Sequence, residues 1–143
     1  MTRRTLIPKA TLLLSGILLL TGILFLTGLG GCDMSCRNMI FQRKLSPDGR
    51  HSAVLFQRDC GATTDFSTHI SLVAPDATPA QSGNVFVSDN GHTTARAGPW
   101  NGPWAEMEWL AADHLVVRHA FGARVIVRKE KARGVKITFQ PTD

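Results

Sequence analysis

The stretch at residues 38–59 reads NMIFQRKLSPDGRHSAVLFQRD, two short runs on either side of a turn signal. Its centre, Ser46-Pro47-Asp48-Gly49, puts proline at the second position of a turn and glycine at the fourth. Before it, Asn38–Leu45 has the length of a strand. After it, His51–Asp59 returns, with Val54 and Phe56 on one face and Ala53 and Leu55 on the other. Two short apolar runs joined by a tight turn form an antiparallel hairpin.

The same spacing continues downstream of the hairpin. Ser67–Val73 alternates Thr68, Ile70 and Leu72 against Ser67, His69 and Ser71. Pro75 to Gly83 is a loop rich in Pro, Ala and Ser, Asn84–Ser88 a short strand, and Asp89-Asn90-Gly91 a turn. In Trp104–Leu110, Met107 and Trp109 alternate with Glu106 and Glu108. Turns at Ala112-Asp113-His114, Gly122 and Ala132-Arg133-Gly134 then separate Leu115–His119, Arg124–Lys129 and Val135–Gln140. About eight strands at hairpin spacing, with no helical pattern after residue 31, predict an all-β fold: a small antiparallel sandwich or barrel. A chain of 143 residues without a repeat excludes a multi-domain enzyme, an α/β barrel and a complete propeller.

Upstream of the hairpin the composition changes. Met1–Lys9 carries Arg3, Arg4 and Lys9 and no acid, and residues 10–31 carry no charge. A basic start, an apolar stretch and a small-residue end constitute an export signal. The end, Leu29-Gly30-Gly31-Cys32, resembles a bacterial lipobox, which implies a thioether-linked lipid on Cys32 and a mature chain of residues 32–143. The competing reading is an uncleaved transmembrane anchor, because the stretch is about as long as a span of ~20 residues. Both readings put the β domain outside the cytoplasm, since the basic start stays inside. Asp33, directly after Cys32, points to the inner membrane by the enteric-type lipoprotein rule.

Export also revises the charge argument. The whole chain has a net charge of +5, but without Arg3, Arg4 and Lys9 only 13 basic residues face 11 acidic ones. A nucleic-acid partner is therefore not expected. The partners implied are the membrane, through lipid or helix, and an envelope protein or glycan. With Cys32 assigned to lipid, Cys36 and Cys60 remain, and in an oxidising compartment an isolated pair closes into a disulfide. The alternatives, a two-cysteine metal site or a reactive thiol, lack the CxxC spacing.

One further set of residues carries a resemblance. Ser46-Pro47-Asp48-Gly49, the run Arg58-Asp59-Cys60-Gly61-Ala62-Thr63-Thr64 and then Phe66-Ser67-Thr68 are similar to a family of small exported bacterial proteins. Gly83-Asn84-Val85-Phe86, Trp109-Leu110 and Gly122-Ala123-Arg124-Val125 extend it over residues 36–139. The resemblance brings no assigned chemistry. It implies that Cys36 and Cys60 belong to the domain's own pattern.

Candidate site residues divide into three groups. Asp59, Thr63, Thr64 and Asp65, with Ser67 and His69 beyond them, concentrate hydroxyls and carboxylates that either bind a ligand or satisfy turn backbone. A hydrolase built on Asp65, Ser67 and His69 lacks an elbow motif to present the serine, and the Ser67/His69 face reads as solvent-side. Trp100 and Trp104, in Gly98-Pro99-Trp100-Asn101-Gly102-Pro103-Trp104, either form an exposed aromatic platform or cap the end of the core. Arg124, Arg128, Lys129, Lys131, Arg133 and Lys136 either face anionic headgroups or protect an edge strand. His51, His69, His92, His114 and His119 form no ligand spacing, so no metal or cofactor is expected. The pattern points to a non-catalytic binding or structural module of the envelope. An inhibitor that plugs another protein with the tryptophan loop is the alternative, and an envelope hydrolase the more distant one.

Overall fold

The computed structural model describes residues 36–61, 66–92 and 94–143. The apolar segment, Cys32, Thr63, Thr64 and Asp65 lie outside the described residues. What is described is all-β, nine strands in two sheets. One sheet is ordered β1 (Arg37–Leu45), β2 (Ser52–Asp59), β3 (Ser67–Val73), β4 (Phe86–Asp89), β7 (Arg124–Arg128). The other is ordered β5 (Ala105–Ala111), β6 (His114–Ala120), β9 (Val135–Thr142), β8 (Lys131–Ala132). The ninth strand is the two-residue β8, too short to leave a periodic trace in the sequence.

The hairpin that opened the reading is present. Gly49 N–H donates to the Ser46 carbonyl at 2.9 Å, and Gly49 sits at φ 70°, where a side chain is disfavoured. Ser46 donates to Asp48, and Arg50 pairs with the same carboxylate. The Ser46 hydroxyl foremost, then Arg50, holds the Asp48 carboxyl well below the usual carboxylate range. β1 and β2 pair antiparallel from Arg37↔Asp59 to Leu45↔Ser52, with a bulge between Ile40 and Gln42.

One pairing differs from the hairpin expectation: β6 and β9 run parallel, from His114↔Lys136 to Ala120↔Thr142. Between them the chain leaves for the edge of the other sheet as β7 and returns through β8. A strand that comes back after such a crossover can pair parallel to the one it left.

The core lies between the sheets. Ala53, Leu55, Ile70, Leu72 and Phe86 meet Met107, Leu115, Val117, Ile137 and Phe139. Phe86 and Phe139 stack with centroids 5.6 Å apart. β2 is buried on both faces, although Val54 and Phe56 point away from this core. The cause is residues 74–84, which strap across the outer face of the sheet. Arg43 donates to the carbonyls of Pro75 (2.9 Å) and Ala77 (2.8 Å), Asn38 to those of Pro79 (2.8 Å) and Gln81 (3.0 Å), and Ser52 to Pro75. The strap has no ladder of its own, so these side chains satisfy its backbone.

Candidate functional site

The strap ends at Ser82–Gly83, and beyond it the outer face of the sheet is open. There a cavity of about 550 Å³ is lined by Arg58 of β2, Ser67 and His69 of β3, Asp89 of β4 and Arg124 of β7, with Ser82 and His92 at its rim. Register explains the grouping. Arg58 pairs with Ser67, Ser67 with Asp89, and Asp89 with Arg124, so four side chains from four strands share one face. Cys60 closes the wall, bonded to Cys36 with their Cα atoms 4.1 Å apart. His92 follows Gly91 with both residues at positive φ, 64° and 50°. That turn brings the imidazole to the rim.

His69 is the group on which the chemistry turns. Its face is not solvent-side as the alternation implied: the ring is 4% exposed, stacked on Phe56 at 5.3 Å. The strap is what buries it. Gly83 N–H donates to Nδ1 at 3.0 Å, so Nδ1 carries no proton and Nε2 does. Nε2–H therefore donates to Ser67 Oγ at 2.7 Å, and the serine hydroxyl donates onward to the Arg58 carbonyl at 3.3 Å. Burial, then the nearby Arg58 cation, lowers the His69 pKa to about 4. A serine nucleophile needs the imidazole to accept its proton. Here the direction is reversed, and a backbone amide occupies the position of an orienting carboxylate.

The other titratable groups of the cavity are also engaged. Arg124 holds Asp89 through both carboxylate oxygens, Nε to Oδ1 at 2.8 Å and Nη2 to Oδ2. That fork lowers the Asp89 pKa. Arg58 donates to Asn38 Oδ1 at 2.8 Å and the Ala80 carbonyl at 3.4 Å, and among the described residues it has no carboxylate partner. The cavity thus presents the Arg58 and Arg124 guanidinium groups beside a neutral imidazole. It is suited to hold a hydrogen-bonding or anionic group. Among the described residues no group of three or more His, Cys, Asp or Glu side chains is placed to hold a metal ion.

Of the two readings of the tryptophan loop, Trp100 takes the capping one. Trp100 is not an exposed platform: it is 7% exposed, its Nε1–H donates to Thr68 Oγ1 at 2.8 Å, and Phe41 lies against it at 5.5 Å. The glycines make this possible. A Cβ on Gly98 would stand 2.5 Å from the Trp100 ring, and one on Gly102 2.8 Å from Thr68 Oγ1. The loop is pinned at its base by the Gly98 N–H to Gly102 carbonyl bond (2.8 Å) and the Ala97↔Pro103 bridge. Trp104 is half-buried, with the Arg96 guanidinium 3.7 Å from its ring centre. With Phe41 and Pro99 both rings border a second cleft of about 390 Å³.

Asp59, which the sequence offers either as a ligand contact or as turn support, does turn work: its Oδ1 accepts the Gly61 N–H at 2.9 Å. Arg58, Asp89 and Arg124 were missed as members of one site. Strand periodicity gives each residue's face, but only the pairing register brings the three together. No family model, curated protein or solved structure matches the chain in comparison.

Proposed function

We propose that this chain is an exported, membrane-tethered envelope protein whose β domain acts by binding, with the cavity beyond the strap as its contact site. The anchor is a lipid on Cys32 or, failing cleavage, the apolar stretch itself. The observation that carries the reading is the Cys36–Cys60 disulfide, which closes at the first described residue after that stretch. Disulfides of this structural kind belong to oxidising compartments. Binding is favoured over catalysis because His69 and Asp89 are each committed to a partner that removes their acid–base use. What remains is a set of donors on a rigid sheet, fitted to a polar or anionic group of an envelope protein or glycan.

The test is the intact mass of the protein extracted from membranes, before and after reduction. A diacylglyceryl-modified chain beginning at Cys32 that gains the mass of two hydrogen atoms on reduction is the expected result. A Met1 chain in membranes keeps the tether and replaces lipid by a spanning helix. A Met1 chain in the soluble fraction, unchanged in mass on reduction, overturns the reading.

A further inference from the structure

We propose that one end of the sandwich, bearing Phe66 and Phe121, rests in the interfacial layer of the membrane to which the chain is tethered. The inference depends on the tethered reading above and adds an orientation to it. The end is defined by pairing. Arg37 pairs with Asp59, Arg58 with Ser67, Ser67 with Asp89 and Asp89 with Arg124, which forms a row across one sheet. Phe66 directly precedes Ser67 on this row. Phe121 lies in the turn between the end of β6 and the start of β7, three residues before Arg124 of this row and so at the same end.

The chain enters at this end. From Cys32 to Cys36 there are four Cα–Cα steps, about 14 Å at full extension. An uncleaved anchor ending at Gly31 adds only one step. The disulfide to Cys60 fixes the entry point to the end of β2. The tether therefore joins the domain at this end, within reach of headgroup depth, whichever anchor applies.

The surface held there suits that depth. Phe121 is 68% exposed and Phe66 46% exposed, while the Phe121 N–H is already satisfied by the Thr142 carbonyl at 2.8 Å. Aromatic side chains gain from the apolar side of an interface, and a paired backbone enters without a desolvation penalty. The side chains of the row that line the cavity stand on the outer face of the sheet rather than at its end, so the contact made by the end is aromatic rather than electrostatic. The basic hairpin lies at the opposite end, where Phe86 pairs with Arg128 and His114 with Lys136. In this orientation Lys129, Lys131 and Arg133 face away from the headgroups.

The experiment uses the full chain in vesicles of phosphatidylethanolamine and phosphatidylglycerol, with and without brominated acyl chains. Phe121→Trp is compared with Leu110→Trp, an exposed position at the far end, beside the Ala111↔His114 pair. The native chain supplies the background of its own three tryptophans. Flotation is scored first. In chains that float, the expected result is loss of about half of the emission added at position 121 and none at 110. Floating chains in which bromolipid leaves position 121 unquenched, or quenches both positions equally, overturn the orientation and leave the tether standing. Chains that do not float overturn the tether, and the orientation with it.

Discussion

His69 should make the domain acid-sensitive. Its Nδ1 faces the Gly83 N–H at 3.0 Å, so a second proton on the ring would set two donors against each other. Burial and the Arg58 cation act in the same direction and lower the pKa from the usual 6.5 to about 4. Above pH 6.5 neither the folded nor the unfolded chain protonates this ring, and its contribution to stability is complete. As pH falls through the window to about 4, the unfolded chain takes up a proton that the folded chain refuses, and stability is lost. Each unit of separation is worth about 1.4 kcal/mol, which sets a ceiling of roughly 3 kcal/mol. The ring borders an open cavity, where water screens part of the interaction, so about 2 kcal/mol is expected. The depressed carboxylates Asp48 and Asp89 behave in the other sense of the same rule. Their stabilisation is present above the ordinary carboxylate pKa of 3.8 and is lost only below it. They therefore do not contribute to a comparison of about pH 7.5 with about pH 4.5.

The assay is urea unfolding at those two pH values for the native chain and for His69→Gln. The native chain should lose about 2 kcal/mol and the variant less than about 0.5, after allowing for a lower starting stability from lost ring packing. Equal losses would refute the assignment of the acid sensitivity to His69. Should the variant not fold, the imidazole resonance of the native chain decides: a midpoint of 6 or above means that the ring is protonated in the folded state.

Other outcomes follow from the packing. Trp100→Ala should cost about 3–5 kcal/mol in urea unfolding, because it empties a buried site and leaves Thr68 without its donor; Trp104→Ala, half-buried under Arg96, should cost about 1 kcal/mol. Cys60→Ser should lower stability by about 3 kcal/mol, the chain-entropy value for a loop of 24 residues, and an unchanged melting temperature would remove the disulfide from the account. Arg43→Ala releases two strap carbonyls, and amide exchange across residues 76–83 should rise about tenfold while β5 and β6 stay protected.

The hairpin at Ser46–Gly49 and the alternation in β3 were legible because each is a local property: turn residues and a period of two. The strap was not. Residues 75–83 read as a loop by composition, and nothing in Pro75-Asp76-Ala77-Thr78-Pro79 announces that Arg43, 32 residues earlier, will bind its carbonyl. The docking of this segment over the sheet accounts for the main misreading at the site. Alternation assigned Ser67 and His69 correctly to the face opposite Ile70, and a sheet with one free face would have left them in water. With the strap laid across it the same face is a second interior, His69 becomes a buried neutral group, and Ser67 accepts from the ring and donates to a backbone carbonyl. Trp100 turned inward for a related reason. Gly98 and Gly102 read as loop flexibility, yet they work as absent side chains, clearing the 2.5–2.8 Å approaches that let the indole reach Thr68. In both cases the sequence carried the residue types needed, and the missing information was which distant segment would lie over them. A β domain of this size resolves that only when its strands pair, so its candidate site is a property of register before it is a property of motif.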